Sequence, residues 1–338
     1  MKKFLVIVLQ YFIAFGVAGF LVWLSLRGLT GIDKADIRSA LLRANHSLVI
    51  PVFALLLVSQ WVRAIRWKQI IAPMGYKPPV FDLLCGLFIG YLANQLIPRA
   101  GEIIRCTVVS RKEKIPVEKL IGTVVTERAI DVATLLFIGV IVFFLEYFYI
   151  KDYTLEILSS FKSWLQNSNK IIHLAFVLAV LAIIFLIFII IKRKSAKWRS
   201  IFSRILKGLW EGLLSIRKID SKFAFIVYTI IIWSTYIGAV WIGCFALKET
   251  MHLRFGASLA ILVFGTVGII IAPGGLGAYP YAIQRTLIFY GINKNIAIAF
   301  GWLLWLAQFL FVLIFGTAAY IAINIRKRKN ENHSVHST

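Results

Sequence analysis

Three short stretches of this sequence combine residue types that can hold an anion. The first is Asn94-x3-Pro98-Arg99-x-Gly101-Glu102-x2-Arg105. Glu102 and Arg105 stand three apart, so on a helix they share a face and can pair. Pro98 to Gly101 reads as a turn, which sets Glu102 at the positive start of the following helix. Arg99 and Arg105 are then available to a phosphate, because a guanidinium matches phosphate oxygens with two parallel hydrogen bonds. The competing reading is a turn of ordinary solvated charges. The second stretch, Thr126-Glu127-Arg128-x2-Asp131, lies inside an apolar run. A charge near the bilayer centre costs at least ~2.5–3.5 kcal/mol on insertion scales, so charges kept there point to function. Glu127 and Asp131 share a helix face, and Arg128 can reach either Asp131 or Glu102. These charges lie 8 and 12 residues beyond Lys119, about 12–18 Å along a helix. Arg128 can snorkel over that depth; the shorter carboxylates cannot do so as easily, which favours a polar cavity. The third stretch is Pro273-Gly274-Gly275-Leu276-Gly277-Ala278-Tyr279-Pro280-Tyr281, with Gln284 and Arg285 one turn on. Its glycines let backbone approach a ligand, its N–H groups at a restarting helix can meet an anion, and Tyr279 and Tyr281 offer hydroxyls.

None of this forms an enzyme's working set. His46, His173, His252, His333 and His336 fall in loops, at the ends of apolar runs or in the tail, and no GxxxxGK[ST] phosphate loop is present. Cys85, Cys106 and Cys244 have no metal-like spacing and read as small core residues. We expect no catalytic residue, no metal and no cofactor.

The elements that must position these residues follow from composition. Of 338 residues 60% are hydrophobic, and the net charge is +23. That is too apolar for a soluble core, which excludes a soluble enzyme and an ordinary nucleic-acid-binding domain. The apolar residues come in runs at about 4–26, 48–65, 80–97, 120–148, 171–191, 223–247, 257–290 and 296–325. The first is too long for a signal peptide and reads as a retained span. Lysine and arginine mark cytoplasmic segments, and ten of them crowd residues 192–222. Eight full crossings would put that segment on the wrong side. The conflict disappears if runs 3 and 7, which meet Pro98 and Pro273-Gly274-Gly275, enter and leave on one side as re-entrant hairpins. Residues 63–79, 99–119 and 192–222 then face the cytoplasm with both termini, giving 26 Lys/Arg inside and 10 outside. Only Arg128 and Arg285 remain within apolar runs.

The expected fold is thus an all-α polytopic membrane protein of about six full spans and two re-entrant hairpins, arranged as an inverted repeat; eight full spans is the alternative. It forms one integral membrane domain over 1–338, with halves at about 1–148 and 171–325, a basic cytoplasmic segment at 192–222 and a basic tail at 326–338. Interrupted segments at matching places in opposed halves are typical of transporters that bind substrate between the halves.

Taken together and in order, the Asn94 to Arg105, Thr126 to Asp131 and Pro273 to Gly277 stretches resemble the lysylphosphatidylglycerol synthase transmembrane-region family of flippase-like membrane proteins. The resemblance implies a bacterial or archaeal plasma-membrane protein that moves lipid. It differs from many members after the glycines, where Tyr279-Pro280-Tyr281 stands in place of an acidic residue. The expected partners are a membrane lipid with an anionic headgroup or a lipid-linked phosphate, and the anionic lipids of the cytoplasmic leaflet; no nucleic acid is expected. Arg99, Arg105 and Arg128 would hold the phosphate, balanced by Glu102, Glu127 and Asp131, with Asn94 and the backbone of Gly274, Gly275 and Gly277 lining the path. Two other readings remain open: a membrane-embedded transferase or accessory subunit of lipid-linked glycan or envelope lipid assembly, and a scaffold that transports nothing.

Overall fold

The computed structural model describes residues 15–97, 100–146 and 221–336, the last ten as backbone only. Among the described residues all regular structure is helical. In chain order the helices are α1 (Phe15–Leu26), α2 (Gly31–Arg43), α3 (Val49–Ile71), α4 (Val80–Leu96), α5 (Gly101–Glu113), α6 (Val117–Leu145), α7 (Lys222–Cys244), α8 (Phe255–Ile271), α9 (Ala278–Phe289) and α10 (Lys294–His336). Within them His46–Met74, Val117–Leu145, Lys222–Cys244 and Lys294–Arg326 are long and apolar enough to cross a membrane. The expected span at 171–191 and nearly all of the basic segment 192–222 lie outside the described residues.

A helical hairpin forms at each of the two breaks, and each is made by the chain's own breakers. A proline disfavours the helical conformation in the residue before it, and Ile97 is extended at φ −124°, ψ 110°. The helix restarts at Gly101, whose orphaned N–H donates to Asn94 Oδ1 at 2.7 Å, so a side chain replaces the missing backbone acceptor. From there α5 runs back along α4: Gly101 lies against Gly90 and Asn94, while Val109 lies against Gly86. In the second hairpin α9 runs back along α8, with Ala278 and Tyr279 against Gly268. The turn between them holds Gly274 and Gly277 at φ +57° and +72°, left-handed backbone that side chains other than glycine resist.

Two expectations need correction here. Residues 99–119 are not a loop: most of them form α5, the hairpin's return arm, whose Cys106 and Val109 pack with Leu83 and Leu87 of α4. Residues 63–79 are not a loop either, since α3 continues through Arg63 and Arg66 to Ile71. The apolar face carries on through Trp67, Ile70 and Ile71 and stops only at the break around Pro73.

The helices group into two bodies with a shared seam. Trp67, Leu83, Leu87, Cys106, Val109 and Leu120 form a core among α3 to α6, and Cys244, Ile261, Ile283, Leu287 and Phe300 form another among α7 to α10. Between them Leu56, Phe88, Ala239 and Phe311 join α3 and α4 to α7 and α10. All three cysteines are buried and unbridged. The order helix, hairpin, helix occurs twice, as α3, α4–α5, α6 and as α7, α8–α9, α10. The first helices of the two sets are antiparallel: Leu55 meets Gly238, Gln60 meets Tyr236 and Arg66 meets Thr229. At one end of the bundle Asp33 of α2 accepts from Asn295 Nδ2 of α10 at 2.8 Å, and that bond holds the Asp33 carboxyl down to about 2.

Closure of the first hairpin depends on the missing side chain of Gly101. A Cβ there collides with the Gly90 carbonyl oxygen and comes within 2.6 Å of Asn94 Cγ. One of those neighbours is backbone and the other is the residue that caps the turn, so neither gives way cheaply. We expect Gly101→Ala to lower stability by about 1–3 kcal/mol through overpacking, read as a lower melting temperature of the detergent-solubilised protein. A variant melting like the parent would show that the two arms separate freely.

Candidate functional site

Glu102, Arg105, Glu127, Arg128 and Asp131 of the first two stretches come together where α3, α5 and α6 meet. Glu127 is fully buried on α6. Arg63 Nη1 of α3 donates to Glu127 Oε1 at 2.6 Å and to Asp131 Oδ2 at 2.7 Å. Arg66 Nη2, one turn along, donates to Asp131 Oδ1 at 2.7 Å, and its other terminal nitrogen donates to Thr229 Oγ1 of α7 at 3.1 Å. Arg105 Nη2 of α5 donates to Glu127 Oε2 at 3.0 Å while its guanidinium lies 4.8 Å from the Trp67 ring centre. Trp67 is itself fixed by donation to Thr123 Oγ1 of α6 at 2.8 Å. Two carboxylates one turn apart on α6 thus gather three arginines from two other helices.

Arg128 and Glu102 form the rim. Arg128 lies 3.7 Å from both Glu102 and Asp131, and the Arg128 and Glu102 side chains are 40% and 34% exposed, against 0–4% for Glu127, Arg63, Arg66 and Arg105. The cluster therefore holds Arg63, Arg66, Arg105 and Arg128 against Glu102, Glu127 and Asp131, one guanidinium more than carboxylates. Several of its N–H groups are buried without a hydrogen-bond acceptor: Nε of Arg63, Arg66, Arg105 and Arg128, and Nη1 of Arg105. Buried donors are normally satisfied, and an excess cation in a low-dielectric site attracts a negative group. Chemically the arrangement can bind an anion; the described residues include no nucleophile–base pair beside it.

The glycine stretch takes a different place from the one its composition suggests. Its turn meets the tip of the first hairpin, with Gly274 packed on Gln95, and Trp305 Nε1 of α10 donates to the Gly274 carbonyl at 3.0 Å. Gln95 is one helical turn beyond Tyr91 on α4. The α4 face carrying Gln95 thus meets the second hairpin. Tyr279 is buried in the second hairpin and its hydroxyl accepts from Gln308 Nε2 at 2.7 Å. Gly275 and Gly277 shape the turn, Gly277 against Ala18 and Val22 of α1. Tyr281 is half-buried on α9, and Gln284 accepts from Ser25 Oγ at 2.6 Å.

Some site expectations are corrected. Glu102 and Arg105 do not pair with each other: Arg105 turns inward to Glu127, and Glu102 meets Arg128. Arg285 does not join the cluster; it is exposed on α9. Asn94 caps the hairpin turn. Arg99 lies outside the described residues. Arg63 and Arg66 were missed, having been assigned to a solvated loop. The available signal was their three-residue spacing with Trp67, Ile70 and Ile71 continuing the helical pattern past them.

Fold and site together define a polytopic helical membrane protein built on two helical hairpins, with a buried arginine–carboxylate cluster beside the first. The chain belongs to the family described as the lysylphosphatidylglycerol synthase TM region, which matches residues 7–316. It is 24% identical to a UPF0104 membrane protein of Methanocaldococcus jannaschii over 325 residues, covering 93% of this chain and 94% of that one. It is also 30% identical to glycosyltransferase AglD of Haloferax volcanii over 105 residues, 31% of this chain and 17% of that protein. No solved structure matches the chain.

Proposed function

We propose that this protein is a lipid translocase of the plasma membrane, with both termini cytoplasmic, that passes a phospholipid or lipid-linked phosphate headgroup between its two halves and performs no covalent chemistry. The observation that carries the reading is the surplus guanidinium among seven charges within a helix bundle, with donor N–H groups left over. A phosphate supplies both the missing charge and the missing acceptors. Crossing a bilayer strips a headgroup of water at great cost unless a polar surface replaces it. In this reading the charged cluster supplies such a surface, while acyl chains remain in lipid.

The test is headgroup translocation in proteoliposomes carrying a fluorescent phosphatidylglycerol, its leaflet distribution read by quenching from outside. The expected result is faster loss of protected label with the protein than in protein-free vesicles. An unaltered leaflet distribution would sink the reading. The partial likeness to a glycosyltransferase supports a second reading, an accessory or transferase role in lipid-linked glycan assembly. It predicts a chemically altered lipid after incubation with a sugar donor, which chromatography of extracted lipid would reveal; movement of unaltered lipid counts against it.

A further inference from the structure

The seven charges of the cluster are not equivalent, and the difference singles out one pair. Arg63, Arg66 and Arg105 hold carboxylates at 2.6–3.0 Å and are almost wholly buried. Arg128 touches its two carboxylates only at 3.7 Å, is 40% exposed and keeps a buried Nε without an acceptor. Asp131 does not need it, since both of its oxygens already accept short bonds from Arg63 and Arg66. Glu102, by contrast, has no other ion-pair partner among the described residues.

Deepening the translocase reading, on which it rests, we infer that Arg128 captures the phosphate of a lipid headgroup carrying net negative charge, and that Glu102 is its built-in competitor. The phosphate replaces Glu102 on Arg128, and Glu102, one third exposed, turns toward water at little cost. When the headgroup leaves, Glu102 takes the guanidinium back, so the pair favours release as well as capture. The same arrangement selects by charge. A headgroup that carries a quaternary ammonium brings a cation beside Arg128 and three further guanidiniums, and gains less than an anionic one.

The experiment measures binding to the full-length protein in maltoside micelles, with dihexanoyl phosphatidylglycerol, dihexanoyl phosphatidylcholine and inorganic phosphate as probes. The parent should bind the phosphatidylglycerol more tightly than the phosphatidylcholine. Glu102→Gln should tighten phosphatidylglycerol binding about two- to fivefold, the size of a half-exposed ion pair. Arg128→Gln should weaken it about tenfold or more, the loss of a charged hydrogen bond. The double variant should bind as Arg128→Gln alone does, because Glu102 competes only through Arg128. Unchanged or weaker binding in a folded Glu102→Gln protein, additive effects in the double variant, or equal affinity for both lipids would each overturn the inference. So would displacement of phosphatidylglycerol by an equal concentration of inorganic phosphate, since the ligand would then be a soluble phosphate rather than a lipid. The two readings fail separately: a parent that binds as expected yet leaves vesicle leaflets unaltered loses the translocase function and keeps the binding site.

Discussion

Glu127→Ala should leave little or no folded protein. Its carboxylate is fully buried and accepts from Arg63 at 2.6 Å and from Arg105 at 3.0 Å, with Arg66 at 3.9 Å. Deleting it strips Arg105 of its only ion pair among the described residues and leaves three guanidiniums around a cavity. Removing one partner of a buried pair costs about 3–5 kcal/mol, because the charge left behind is desolvated and uncompensated. Here more than one charge is left behind. We expect the alanine variant to be lost from the monodisperse peak after detergent extraction. Glu127→Gln, which keeps the volume and one acceptor, should be recovered in lower yield with a depressed melting temperature. An alanine variant melting like the parent would mean that water reaches the cluster freely, and that the arginines are not held by this carboxylate.

Arg63 tests the same cluster from the opposite sign. One of its nitrogens bonds both carboxylates, so Arg63→Met removes the shared donor and leaves three guanidiniums against three carboxylates. The expected stability loss is again about 3–5 kcal/mol. Where folded protein is recovered, headgroup translocation should fall to the level of protein-free vesicles, because the surplus positive charge is gone. The double variant Glu127→Gln with Arg63→Met separates the two effects. It removes one charge of each sign, so it should be more stable than the sum of the single losses implies. It should also regain part of the translocation, since three guanidiniums again face only two carboxylates. Additive stability losses would show that Arg63 and Glu127 do not interact as their 2.6 Å contact indicates.

How far the sequence could be read follows from what each signal reports. The two breaks were legible because Pro98 and the Pro273-Gly274-Gly275 turn interrupt apolar runs, and a helix broken at membrane depth must be folded back into protein. Glu127, Arg128 and Asp131 were legible because an intramembrane charge is costly enough to need a reason. Arg63 and Arg66 were not, because they sit at the edge of an apolar run, where an arginine entering solvent and an arginine turned into a helix bundle have the same local sequence. The return arm α5 was hidden likewise: its charges at Glu102, Arg105, Arg111 and Lys112 resemble those of a loop. Only the burial of Arg105 against Trp67 and Glu127 distinguishes the two.

By itself the sequence determined that this is an all-helical membrane protein, that its apolar runs are interrupted at Pro98 and Pro273, and that one run carries Glu127, Arg128 and Asp131 within it. Those properties depend on hydropathy and backbone preference, which act within a few residues along the chain. Only the tertiary structure decided which charges meet. It moved Arg105 from Glu102 to Glu127, drew Arg63 and Arg66 from an apparent loop into the cluster, and left Arg285 outside. The partners of Glu127 come from positions 64 and 22 residues away, and ion pairing over such separations is set by how helices pack rather than by local spacing. The opening motif kept its chemistry and changed its partners: Glu102 and Arg128, from two different stretches, now stand together at the rim of the site.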